Sequence, residues 1–191
     1  MGSIKLTPRR MCFDTASNWF LRLGWLDGPD AAREYFRTRP LKFHAATVFD
    51  EADRQFHDFT NSNDLFAFLC AADEIITFNG RKCDLIVLEH AIGADEVGAL
   101  WRKPHHDLTG WQHNWSLTAS VQAILPERAS GFKAMRHSRR EALRATDHTD
   151  FHADHLAGTY RDTAFTYALF EAYRARGGSD RTFRDLDARS A

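Results

Sequence analysis

The chain has little of what usually marks a secreted, membrane-bound or strongly nucleic-acid-coated protein. It holds three cysteines in 191 residues, Cys12, Cys70 and Cys83, set far apart within apolar segments. They read as reduced core residues rather than a disulfide framework, which points to the cytoplasm. No apolar run approaches the ~20 residues of a membrane span. Lys5, Arg9 and Arg10 are not followed by the apolar stretch of a signal peptide. Met1-Gly2-Ser3 fails the myristoylation pattern because Leu6 stands where Ser or Thr is required, and it reads equally well as a cloning remnant. An excess of one charge is missing too. Twenty-five basic against 26 acidic residues leave a formal charge of −1. That excludes a basic coat but not a local basic groove.

What remains is an ordinary globular composition, 43% hydrophobic and 27% charged, of a length that fits one domain. Arg10 to Phe13 is a short apolar run ending at Asp14, expected as a buried first strand. Ser17 to Pro40, with Gly24, Gly28 and Pro29, reads as a loop. Leu41 to Phe49, the polar turn Asp50-Glu51-Ala52-Asp53 and Arg54 to Thr60 read as strand, turn, strand, so an antiparallel meander of three strands is expected. Asn61 or Ser62 caps a helix in which Leu65, Phe68, Leu69 and Ala72 recur at helical spacing. Glu74 to Phe78 is a strand broken at Asn79-Gly80, and a helix covers Asp84 to Ala91. Gly93 to Asn114 reads as irregular. Ser116 caps a second amphipathic helix that stops before Pro126. Residues 127–150 are basic and polar, and a long helix runs from Phe151 to about Arg176. The expectation is an α/β domain over 10–176, with a mixed central sheet, antiparallel first and then parallel, flanked by helices. Residues 1–9 form a leading segment and 177–191 a flexible tail.

Three aspartates occupy telling places. Asp14 ends the first strand, Asp84 follows the strand–turn Ile75 to Gly80, and Asp162 shares a helical stripe with Phe165, Leu169 and Ala172. Any one of them reads most simply as a cap or turn residue. Three carboxylates meeting at strand ends would instead repel one another unless a divalent cation neutralised them.

Taken in order, the segments around them resemble a known family. Met11-Cys12-Phe13-Asp14-Thr15-Ala16-Ser17 is similar to the first motif of the DEDD (DnaQ-like) 3′–5′ exonucleases, in which a strand ends in Asp-x-Glu. Ile76 to Leu88, with Asn79-Gly80 and then Asp84, resembles their second motif, and Tyr160-Arg161-Asp162 through Leu169-Phe170 resembles the third. His106-Asp107-Leu108 and Trp115-Ser116-Leu117 through Leu125 look like segments of the predicted YprB-type ribonuclease-H-like exonucleases. The resemblance spans about residues 10–174. It implies a ribonuclease-H-like fold and a two-metal mechanism with Mg²⁺ or Mn²⁺, in which Asp14 bridges both ions, Asp162 holds the first and Asp84 acts on the second mainly through water. It also implies a partner with a 3′ end, single-stranded DNA or RNA. Asn79 would shape the turn ahead of Asp84 and approach the nucleic acid.

Two positions depart from the pattern. The Glu expected two places after Asp14 is Ala16, which removes a direct ligand of the hydroxide-forming metal and should suppress turnover. The sequence leaves open whether Ala16 is natural or engineered. The general base expected as Tyr four residues, or His five residues, before Asp162 is Gly158 or Ala157. His155 is the nearest substitute, if a two-residue loop extension lets it reach.

Other clusters are weaker. His148, His152 and His155 have a spacing that a helix can use for zinc, but no acidic or cysteine partner completes the set, so surface histidines are the plainer reading. His105-His106 with Asp107 could touch metal, but His106 and Asp107 read more simply as loop-fixing residues. Arg128, Lys133, Arg136, Arg139, Arg140 and Arg144 form either a solvated face or an arm that tracks phosphates. Trp19, Phe20, Trp25, Tyr35 and Phe36 stack on bases or pack in the core. The two functional readings are an exonuclease impaired at residue 16 and a catalytically inactive nucleic-acid-binding or assembly module. A small-molecule metal hydrolase is disfavoured, because it gives no reason for the basic stretch.

Overall fold

The computed structural model describes residues 7–18, 28–111, 116–131 and 151–176. Along the chain they form β1 (Arg10–Ser17), α1 (Gly28–Phe36), β2 (Phe43–Asp50), β3 (Gln55–Phe59), α2 (Ser62–Cys70), β4 (Glu74–Thr77), α3 (Asp84–Ile92), α4 (Ala94–Trp101), β5 (His105–Asp107), α5 (Leu117–Ile124) and α6 (Phe151–Ala175). The strands make one five-stranded sheet in the order β3-β2-β1-β4-β5. Strands β1, β2 and β3 pair antiparallel, whereas β4 joins β1 in parallel and β5 joins β4 in parallel. This is the mixed, ribonuclease-H-like sheet that the sequence leads one to expect.

Strand β1 lies at the centre and is covered on both faces, which is why its sequence shows a continuous apolar run rather than alternation. Met11 and Phe13 face one layer with Leu65 and Leu69 of α2, Leu85 and Leu88 of α3 and Val97 and Leu100 of α4. Cys12 faces the other, with Val121 and Ile124 of α5 and Leu169, Phe170 and Tyr173 of α6. Helix α2 starts where expected, because the Asn61 side chain accepts from the backbone N–H groups of Asn63 and Asp64.

The pairing of β1 is unequal along its length. Against β2 it runs from Met11 to Ser17, but against β4 only from Arg10 to Cys12. Beyond Cys12 the β4 side of β1 is open, and the sheet carries a notch there.

Three expectations need correction. The stretch 17–40 is not loop throughout, since α1 lies within it and buries Ala32 and Phe36, one helical turn apart, against Ile86 and Val87 of α3. The stretch 93–114 contains α4 and β5. Gly93, at φ 110°, separates α3 from α4 in a conformation open to glycine, and a three-residue strand is too short to show a period. Cys70 is not a core residue but is exposed at the end of α2, while Cys12 is buried; all three cysteines are free.

A charged network closes the bottom of the sheet. Arg10 Nε donates to Glu74 Oε2 at 2.7 Å, and His106 Nε2 lies 3.1 Å from the same oxygen. Burial pushes the Glu74 carboxyl up, but its bonds with Arg10 and His106 outweigh burial and hold it below the ordinary glutamate value. Replacing Glu74 by Ala leaves a buried guanidinium without this carboxylate and should cost about 3–5 kcal/mol. Urea unfolding of Glu74→Ala measures this, and a loss under 1 kcal/mol would show that the network is dispensable.

Candidate active site

The notch beside β1 is filled by the first residue of α3. Asp84 Oδ1 accepts from the Thr15 backbone N–H at 2.9 Å and from the Thr15 hydroxyl at 2.7 Å. Strand β4 has already left β1 at this level, so the carboxylate replaces a strand as hydrogen-bond partner for an otherwise orphaned donor. The turn that delivers Asp84 is held from β5. Asp107 Oδ1 accepts from the N–H of Asn79 at 2.8 Å and from the Thr109 hydroxyl at 2.7 Å, and Oδ2 accepts from the N–H of Arg81 at 3.2 Å. Asn79 sits at φ 66°, a left-handed position that asparagine tolerates. The tight approach of Gly80 to the Thr77 side chain leaves no room for a Cβ. Asn79 thus shapes the turn, and Asp107 fixes it, as expected of both.

Asp14 lies one residue before Thr15 and, by strand alternation, on the same face as Cys12 and Ala16, towards α6. Its cross-strand partner is Thr47. Helix α6 crosses at this level: the Thr163 hydroxyl donates to the Thr47 carbonyl at 3.0 Å, Thr159 and Thr47 share a hydroxyl bond at 2.8 Å, and the Cys12 thiol points at the Thr163 carbonyl. Asp162 follows on the flank of this contact. The residue aimed straight at the sheet is Thr163, fully buried, whereas the Asp162 side chain keeps 24% exposure. Asp162 is also ion-paired with the preceding Arg161, Nε to Oδ1 at 2.6 Å.

The electrostatics show which acids share a neighbourhood. Burial first, then Asp14 and Asp84, push the Cys12 thiol well up. Burial, then Asp84, Asp107 and Asp14, do the same to Cys83. Burial raises Asp84 itself from 3.8 to about 7, against the two bonds from Thr15 and with a further push from Asp107. Asp14 and Asp84 thus both act on Cys12, and Asp107 acts on Asp84. Asp14 lies inside β1 rather than at its end, because pairing with β2 carries the strand on to Ser17. Asp107 holds the turn ahead of Asp84, the loop-fixing role rather than the metal contact that the sequence also allowed.

Comparison with known proteins adds little. No family model matches the chain, and no curated protein matches it. Among solved structures, the family B DNA polymerase of the hyperthermophilic archaeon Pyrobaculum calidifontis aligns with 49% of this chain at 16% identity and a TM-score of 0.31. The aligned part is 12% of that polymerase. A similarity this low carries no functional argument.

The residues present do not by themselves fit a pair of metal ions. Among the described residues, no three His, Cys, Asp or Glu side chains gather closely enough to hold one. Ala16, 6% exposed and on the Asp14 face, brings no carboxylate to the set, and Asp162 is engaged by Arg161. His155 is buried and stacks on His44, ring centroids 5.0 Å apart. Helix α6 runs unbroken from Phe151, so His155 lies roughly 10 Å along the axis from Asp162. No loop intervenes to carry it closer. Phe36 is core, whereas Trp19, Phe20, Trp25, His148, Lys133, Arg136, Arg139, Arg140 and Arg144 lie outside the described residues.

Because folding raises the proton affinity of Asp84, its contribution favours the folded state below about pH 4 and is lost as pH climbs towards 7. Asp84→Asn keeps an oxygen for Thr15 but cannot ionise. Urea melts from pH 4 to 8 should show the variant gaining stability relative to the parent up to about pH 7, then holding level. Parallel curves across that range would contradict the raised pKa of Asp84.

Proposed function

We propose that this chain is a ribonuclease-H-like nucleic-acid-processing domain of the 3′–5′ exonuclease type, impaired in this sequence by the loss of one carboxylate at residue 16. The observation that supports it is the bond of Asp84 to Thr15, the residue next to Asp14, with Asp84 buried at a cost that a nearby cation would relieve. Carboxylates of this kind suit phosphodiester hydrolysis when divalent ions are present. Here Ala16 denies the set its third donor. A glutamate at that place would lie on the Asp14 face, under α6, and the resemblance gives Asp14, residue 16 and Asp162 as the side chains that would hold Mg²⁺ or Mn²⁺.

The second reading is an inactive nucleic-acid-binding or assembly module. The Arg161–Asp162 ion pair favours it, because that pair lets the fold close without metal.

Ala16→Glu separates the two. With Mn²⁺ and a 5′-labelled single-stranded oligonucleotide, DNA and RNA in parallel, it should shorten the strand stepwise from its 3′ end. Adding Asp14→Asn should lower the rate about 100-fold or more, at least as much as losing a supporting residue at a metal site. An intact oligonucleotide with folded Ala16→Glu protein would favour the module instead.

A further inference from the structure

Arg161 and Asp162 are consecutive residues of α6. Neighbours in sequence on a helix do not face one another, so they meet only if one side chain bends around the helix. Arg161 does so: its Nε and Nη2 both reach Asp162 Oδ1, at 2.6 and 2.5 Å. Its side chain is only 6% exposed. A guanidinium does not give up its proton in a protein, so it can be buried only where carboxylates compensate it. Arg161 also sits at a telling level of the fold. Thr159 and Thr163, two residues to either side of it, both bond to Thr47, the cross-strand partner of Asp14. Arg161 therefore sits at the level where α6 crosses Thr47, with its Cα on the helix face turned away from that contact.

We propose that Arg161 is a built-in counter-cation, whose guanidinium neutralises Asp162 where the acidic centre would otherwise call for a divalent ion, so that the domain folds without metal. This rests on the reading that Asp162 belongs to a centre of metal-binding type. The fixed positive charge holds Asp162 in a pair that an incoming ion must break. Arginine suits the role better than lysine, because two of its nitrogens engage the same carboxylate while the rest of the planar group stays available for other acceptors.

The test uses thermal melts of the full chain with Mn²⁺ alone as the probe, in metal-free buffer and at millimolar Mn²⁺. The parent should melt at the same temperature in both. Arg161→Gln should melt lower without metal and recover by at least about 3 °C when Mn²⁺ is added. Arg161→Gln combined with Asp14→Asn should lose that response, and Arg161→Lys should keep most of the parent's indifference to the ion. Should Arg161→Gln fail to fold, Arg161→Gln/Asp162→Asn, which removes both charges, should fold and melt closer to the parent than Asp162→Asn alone. A parent that already responds to Mn²⁺ as strongly as Arg161→Gln overturns the proposal. So does a folded Arg161→Gln with no response, or a double variant no better than Asp162→Asn. The melts need no cleavage, so the two readings fail separately. A response to Mn²⁺ in Arg161→Gln alongside an inert Ala16→Glu removes the nuclease assignment and leaves the counter-cation. Cleavage by Ala16→Glu without that response does the reverse.

Discussion

The architecture of the candidate site depends on one hydrogen-bonded substitution: where β4 parts from β1, the Asp84 carboxylate takes the backbone donor of Thr15 that a strand would have taken. A polar group left unpaired at that depth would be costly, so the start of α3 must come to the notch. Once it does, Asp84 is bonded to Thr15, the residue that follows Asp14 in β1. Asp107 holds the Asn79–Arg81 turn from the neighbouring strand so that α3 begins in the right place. The bonds that satisfy the sheet edge also bury the Asp84 carboxyl, and that burial, with a smaller push from Asp107, raises its pKa.

On the opposite face, α6 bonds to the sheet through Thr159 and Thr163 as well as packing Leu169 and Phe170 against it. Polar contacts of this kind fix the rotation of a helix more tightly than packing of interchangeable methyl groups. They set which side of α6 Asp162 and Arg161 occupy. A neutral cysteine, Cys12, stands between this helix and the acid group, its thiol pushed away from ionising by the same burial and charge. The site thus combines carboxylates on one side with a permanently charged guanidinium on the other.

Much of this was legible in the sequence where the signal was periodic or chemically specific. The order of strands, the Asn61 cap, the strand ahead of Asn79-Gly80 and the long last helix all follow from pattern and capping chemistry. Helix α1 was not legible, because only Ala32 and Phe36 face the core and its neighbours include glycine and proline. Strand β5 has three residues and no room for alternation. Asp14 was expected to end the first strand but lies inside β1, which pairs on to Ser17, and helical spacing alone placed Asp162 on the sheet-facing stripe, when Thr163 takes that place. The Arg161–Asp162 pair was invisible for a related reason: neighbours on a helix are expected to diverge, and only the burial of the arginine turns it back. His155 offers the same lesson, since a continuous helix removes the loop that its reach required.

On the proposed reading, the missing glutamate at residue 16 is what most limits metal binding beside Asp14, with Asp162 held by Arg161 as a second obstacle. The decisive experiment is anomalous scattering from crystals of Ala16→Glu grown with Mn²⁺. Manganese peaks are expected within bonding distance of Asp14 and of the introduced glutamate side chain. Well-ordered carboxylates at both positions with no manganese between them would contradict that reading.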